Sequence, residues 1–289
     1  MVSSDFLTGG GAITNPSERE EFEMMQRFDN WEVRRAYGAR VAFLLMGWLI
    51  FAGSPSWAQT VTVVNGASYR TDQPVAAGSW VSGFGTFANV GETPATSLPL
   101  PTSLGGVTIT VAGVAAPINF VGPLQVNFVI PYETAPGLHP VVVTGPGGTL
   151  NGTVRVINAA PGVFKDLLDT ATPPRGAVLN QDNSFNTQDR PALRGQAIQI
   201  FATGHSTLSA AIANGAAGPT PNITTQVQPQ VFIGGVEATV EFSGLAAGFA
   251  ALWQINARIP ELSFLAGKLP VQVFMNGVDS NEVAIYVAQ

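Results

Sequence analysis

Residues able to do chemistry are sparse in this 289-residue chain. It has two histidines and no cysteine. His205 stands beside a hydroxyl in Gly204-His205-Ser206-Thr207-Leu208. A nucleophile elbow needs glycine at the position of Leu208, on a strand-to-helix turn, so the pair reads as loop residues at a strand end. Two histidines without cysteine leave little for a triad or a zinc site. Gly83-Phe84-Gly85-Thr86-Phe87-Ala88 spells a dinucleotide fingerprint, but a helix must follow to meet the pyrophosphate. Asn89-Val90-Gly91-Glu92-Thr93-Pro94 follows instead, so the segment reads as a glycine-kinked strand. No catalytic residue and no cofactor are expected; a hydrolase is the remote alternative.

Three other groups could bind. Asp182, Asn183, Asn186 and Asp189 cluster oxygen atoms of the kind calcium takes, without the fixed ligand series that ends in Glu. The competing reading is a polar hairpin turn, since Asp and Asn tolerate left-handed backbone and form Asx-turns. Gln125/Asn127 and Gln254/Asn256 sit at i and i+2, so each pair shares one strand face, with Arg258 extending the second pair. They either satisfy backbone groups of an adjacent bulge or loop, or form a repeated recognition stripe. Phe249, Trp253 and Phe264 lie in or beside a loop and could stack on sugar rings, or plug a sandwich end or an interface between modules.

The elements that position these residues come from an internal duplication. Leu124-Gln125-Val126-Asn127-Phe128-Val129-Ile130-Pro131 returns at Trp253-Gln254-Ile255-Asn256-Ala257-Arg258-Ile259-Pro260, at an offset of 129. Upstream, Val107–Phe120 matches Pro229–Phe242 at an offset of 122. The second copy therefore carries seven extra residues within Ser243–Ala250, a length change that a surface loop tolerates. Period-2 runs at Val107/Ile109/Val111, Val126/Phe128/Ile130, Ile255/Ala257/Ile259 and Val283/Ile285/Val287 predict strands. Ala112-Gly113, Gly234-Gly235 and Asn276-Gly277 predict tight hairpins. Pro131 and Pro260 close their strands. The best helical candidate is Gly162–Thr170, stopped by Pro173-Pro174. The expected fold is all-β: two tandem immunoglobulin-like β-sandwich domains after an N-terminal signal segment. Module 1 spans 59–158, a linker 159–176, and module 2 177–289.

Further motifs flank the repeated strands. Copy one has Asn65-Gly66-Ala67-Ser68-Tyr69, Gly78–Thr86 and Leu98–Val107. Copy two has Ala177–Asn186 and Arg194–Gly204, then the Trp-Gln-Ile-Asn strand. Over residues 60–289 the chain resembles the uncharacterised C-terminal-domain family of secreted acidobacterial proteins, whose modules usually trail larger extracellular proteins. The resemblance implies an exported immunoglobulin-like module. It implies no established activity and supplies no catalytic residue. Asn183 stands where the family usually has Gly, and His205 where Leu is more usual.

Arg34-Arg35 and Arg40 precede an apolar run, Val41–Gly53, and then Ser54-Pro55-Ser56-Trp57-Ala58. This is the basic, apolar and small-residue order of a signal peptide cleaved near Ala58. The run is about 13 residues, short of the ~20 that a spanning helix needs, so no stable membrane span is expected after cleavage. Arg34-Arg35 lacks the usual flanks of a twin-arginine signal. Residues 1–32 are polar and acidic, and a start at Val33 would give an ordinary signal. The chain carries −6 overall; from residue 59 onward, 12 acids face 8 bases. Nucleic acid needs clustered Lys and Arg and is not an expected partner. The expectation is a secreted, cell-surface or periplasmic non-enzymatic protein with a structural or adhesive role and an extracellular protein or polysaccharide partner. The alternative is a polysaccharide-binding module, calcium-assisted.

Overall fold

A computed structural model of the chain describes residues 60–288. The signal segment, its cleavage near Ala58 and the start at Val33 lie outside those residues. The first copy supplies β1 (Thr62–Asn65), β2 (Val75–Ala76), β3 (Trp80–Phe84), β4 (Thr93–Pro94), β5 (Ser103–Leu104), β6 (Val107–Val111), β7 (Val114–Ala115), β8 (Ile118–Val121), β9 (Gln125–Val129), β10 (Gly137–Gly145) and β11 (Gly148–Ile157). The second supplies β12 (Gly162–Val163), β13 (Val178–Leu179), β14 (Ala197–Thr203), β15 (Gln230–Ile233), β16 (Val236–Leu245), β17 (Trp253–Arg258), β18 (Gly267–Met275), β19 (Val278–Asp279) and β20 (Val283–Val287). Among the described residues no helix is long and apolar enough to cross a membrane.

The architecture is all-β, two tandem β-sandwiches each with its own core. In the first, the sheet β1-β3-β9-β8-β4 faces the sheet β2-β11-β10-β6-β5, with β7 added against β6. Strand alternation sends Val81, Val126, Phe128 and Ile118 from one sheet against Ile109, Val141, Val143 and Val154 from the other, all in one buried cluster. The second sandwich is one nine-stranded sheet folded over itself. β16 makes the corner: Val236–Ala238 pair with β15, while Thr239–Leu245 pair with β17. Its core joins Ile198, Ile200, Trp253 and Ile255 to Val231, Val271, Val273 and Ile285. In the first copy the same corner is broken into β7 and β8. Pro117, aligned with Thr239, has no N–H to continue the ladder.

Ala112-Gly113, Gly234-Gly235 and Asn276-Gly277 each form a two-residue hairpin with both φ positive, between 52° and 82°. That is the turn whose twist matches the flanking strands. Gly105-Gly106 makes a fourth between β5 and β6.

Three expectations are corrected. Gly162–Thr170 is not helical: β12 pairs with β14, and the carboxylates of Asp166 and Asp169 then accept the N–H groups of Leu168 and Ala171, both at 2.9 Å. Such Asx bonds compete with helix formation. The 159–176 stretch is not a free linker. Ala159 and Val163 belong to the second core, and bridges join Lys165 to Gly176 and Arg175 to Ala284. The copy-two insertion is not simply a surface loop. Ala250 and Ala251 are buried against Leu100, Val129, Trp80 and Ala95 of the first sandwich. Their small side chains leave room for the Trp80 ring, whose N–H reaches the Ala250 carbonyl.

Candidate functional site

Both glutamine–asparagine pairs lie on the outer sheet face of their sandwich, away from the core, and both are built by the same device. In β8 the ladder passes from Ile118↔Phe128 to Phe120↔Asn127, leaving Asn119 as an extra residue. In β16 it passes from Val240↔Ala257 to Phe242↔Asn256, leaving Glu241 extra. Asn119 and Glu241 are equivalent under the 122-residue offset. Each bulge turns the following phenylalanine out of the core and onto the face of the amides. From the other side, Phe84 lies opposite Gln125 and Phe201 opposite Gln254. Each stripe is thus a Gln-x-Asn row between two phenylalanines.

The two stripes differ in exposure and reach. In the first, Asn127 is buried, and its Oδ1 accepts from Gln125 Nε2 at 2.8 Å and Ser82 Oγ at 3.0 Å. In the second, Gln254 and Asn256 are half-exposed. Gln254 Nε2 donates to Asn256 Oδ1 at 2.9 Å and to Gln199 Oε1 at 3.1 Å. Gln199 Nε2 donates on to Asn183 Oδ1 at 2.6 Å. The result is a ribbon of four side-chain amides across neighbouring strands, with half-buried Phe242 beside it. Arg258 ends the row, paired with Glu241 at 2.6 Å and bonded to the Gly195 carbonyl. These amides bond to one another, where the sequence suggested backbone partners. Amides and an aromatic edge on an open face can donate to and accept from hydroxyls. Gln199 was not foreseen. The signal was available: Gly78–Gly85 aligns with Gly195–Ala202 at an offset of 117, and both leading glycines have positive φ.

The aromatic expectation is corrected at Trp253. Its side chain is fully buried in the second core, and its indole N–H donates to Ser243 Oγ at 2.9 Å, so no ring face is offered to a sugar. Phe249 is half-buried in the insertion, whose backbone is tied to Gly218 at 2.8 Å. Phe264 is 67% exposed but lies in the loop after β17, away from the insertion in sequence.

The oxygen cluster is a turn rather than an assembled cation site. Asp182 Oδ1 accepts from the N–H and hydroxyl of Ser184 at 3.0 and 2.6 Å, bonds that lower its pKa. Asn183 joins the amide ribbon at positive φ. Asn186 is buried, donating to Asn180 Oδ1 and the Tyr286 carbonyl and accepting from the Tyr286 N–H. Asp189 is exposed. Among the described residues no group of three or more His, Asp or Glu could hold a metal ion.

His205 and Ser206 are buried at the junction of the two sandwiches, and they do not form a base–nucleophile pair. His205 Nδ1 lies 2.7 Å from the backbone carbonyl of Ser206, not its hydroxyl. The ring stacks on Tyr132 of the first sandwich, with centroids 6.1 Å apart, and meets Trp253 edge-on at 6.3 Å. Burial lowers the His205 pKa, partly offset by the carbonyl bond, and burial raises that of Tyr132.

No family model and no curated protein matches the chain. Among solved structures it is similar to the Bacteroides ovatus mixed-linkage glucan utilization locus protein SGBP-B, in complex with a mixed-linkage heptasaccharide. The identity is 14% over 74% of this chain and 45% of that one, with a TM-score of 0.31. The titin Ig tandem domains A164-A165 match at 9% identity over 75% of this chain and 94% of theirs, TM-score 0.23. Domains 5-6 of the S-layer protein SbsC match at 14% over 80% and 97%, TM-score 0.21. The chain spans less than half the length of the first of these structures.

Proposed function

We propose that this chain is an exported, non-enzymatic structural or adhesive protein of the cell exterior, with an extracellular protein or polysaccharide as partner. The observation that supports this reading is the end-to-end lock between its two sandwiches. Trp80 Nε1 donates to the Ala250 carbonyl at 2.9 Å and Trp80 N to Thr203 Oγ1 at 2.8 Å. Tyr132 N donates to Asn214 Oδ1 at 2.9 Å, Leu100 N to the Gly215 carbonyl at 2.8 Å, and Asn65 Nδ2 to the Ala160 carbonyl at 3.1 Å. An apolar cluster around Ala250 and Ala251 closes the joint. A tandem fixed in this way can hold its two ends apart and present a surface at a set distance. The export part rests on the Arg34–Ala58 pattern. Fractionating the producing cells and sequencing the mature N-terminus tests it. A chain starting at Gln59 outside the cytoplasm is expected; intact residues 34–58 on a cytoplasmic chain would sink the reading.

The second reading is a polysaccharide-binding module acting through the amide ribbon of the second sandwich. It is favoured by the half-exposed Asn183–Gln199–Gln254–Asn256 chain beside Phe242, which matches hydroxyl donors and acceptors in a row. Retention on one insoluble glycan, lost in Gln199→Ala and Gln254→Ala, would favour it over the first reading.

A further inference from the structure

Four buried side-chain atoms among the described residues lack a hydrogen-bond partner: Tyr132 Oη, Thr134 Oγ1, His205 Nε2 and Ser206 Oγ. Tyr132 and Thr134 come from the loop after β9 in the first sandwich. His205 and Ser206 come from the segment after β14 in the second, and the Tyr132 and His205 rings stack across the joint. Buried polar atoms without a protein partner are rare. Tyr132, His205 and Ser206 lie where the two modules meet, and Thr134 is two residues along the same loop as Tyr132.

We infer that the junction is an acid-operated latch, in which protonation of His205 frees the Tyr132 loop and lets the two sandwiches separate. Nδ1 faces the Ser206 carbonyl, so it carries the proton of the neutral ring and Nε2 is a bare lone pair. A second proton must go to Nε2, which no protein acceptor meets in the closed joint. The groups packed against the ring offer no counter-charge. Trp253, edge-on to the ring, is neutral, and beside it the Met275 sulfur accepts the Ser206 N–H at 3.2 Å. Tyr132 is a neutral phenol, and burial raises its pKa further. The neighbouring carboxylate, Glu133, is exposed and engaged by Asn214 Nδ2 at 2.8 Å. An imidazolium in this site is a buried unpaired charge, and opening the joint hydrates it together with the three orphaned hydroxyls.

The sign follows from linkage. The closed state disfavours the proton and the open state binds it at the ordinary histidine value, so closure is fully favoured above that value and is lost as pH falls below it. The open-to-closed ratio rises by up to about tenfold per pH unit below ~6.5, until the closed-state pKa is reached.

The chain has no cysteine. Thr108→Cys and Glu237→Cys therefore place one spin label on an exposed position of each sandwich in Gln59–Gln289. A single narrow inter-label distance is expected at pH 8, with a second, broader population growing reversibly by pH 5, the open-to-closed ratio rising by no more than about thirtyfold. His139→Gln keeps this response, and His205→Gln stays closed throughout. Unchanged distances from pH 8 to 5, or equal opening in His205→Gln, would overturn the latch. If His205→Gln does not fold, the wild-type imidazole resonances decide: protonation of His205 must share its midpoint with the distance change. A His205 that titrates while the distance stays fixed refutes the proposal.

Discussion

Trp80 both packs and hydrogen-bonds across the junction of the two sandwiches, and Trp80→Ala tests the coupling between them. Its indole N–H bond to the Ala250 carbonyl contributes about 1 kcal/mol net. Full truncation of a core Trp costs about 3–5 kcal/mol. Trp80 is half-buried, packed on Leu100, Val129, Ala250 and Ala251, so roughly half of that cost applies. The sum is about 3 kcal/mol, concentrated at the joint. Urea unfolding of Gln59–Gln289 reads it. In the variant the one indole left in this span is Trp253, fully buried in the second core. Its fluorescence follows the second sandwich alone, while far-ultraviolet dichroism follows both. Coincident curves are expected for the wild type and separated curves for Trp80→Ala; Trp80→Phe, which loses the N–H bond and part of the ring's packing area but keeps an aromatic ring in the cluster, falls between them. A change below about 0.5 kcal/mol with curves still coincident would show that the joint carries no coupling.

Other outcomes follow from the same structure. Ser243→Ala removes the acceptor of the buried Trp253 N–H and the partner of Thr225 Oγ1 at 2.7 Å; it should lower stability by about 1–3 kcal/mol by urea midpoint, more than Thr225→Val does. A Cβ at Gly277 meets no atom within 4 Å, so Gly277→Ala isolates the strain of φ 77°, about 1–2 kcal/mol, and an unchanged melting temperature would refute the turn assignment. Millimolar calcium against chelator should move the melting temperature by less than about 1 °C, because Asn186 is spent on internal bonds; a rise of several degrees would restore the cation reading.

The duplication, the period-2 runs and the three glycine hairpins were legible because each is written in adjacent residues. The bulges were not. Ile118-Asn119-Phe120 reads as unbroken alternation, and only pairing against β9 shows Asn119 displaced and Phe120 turned outward. The insertion was legible as a length change, but its alanines read as loop filler until Trp80 is placed over them. Trp253 was misjudged for a related reason: it follows the insertion in sequence, yet its position in β17 points it into the core. Gln199 was hidden because the match between Gly78–Gly85 and Gly195–Ala202 is carried by two glycines and two phenylalanines, with Ser82 standing where Gln199 completes the ribbon. Asp166 and Asp169 reversed the helical reading of Gly162–Thr170 through side-chain bonds that no periodicity registers.

The measurement that bears most directly on the proposed role is retention of purified Gln59–Gln289 on the producer's own cell envelope and on a panel of insoluble polysaccharides, with calcium and with chelator. The account predicts retention on the envelope, insensitive to chelator, with no release of products from any polysaccharide. Release of soluble products, or no retention on any surface, would contradict it.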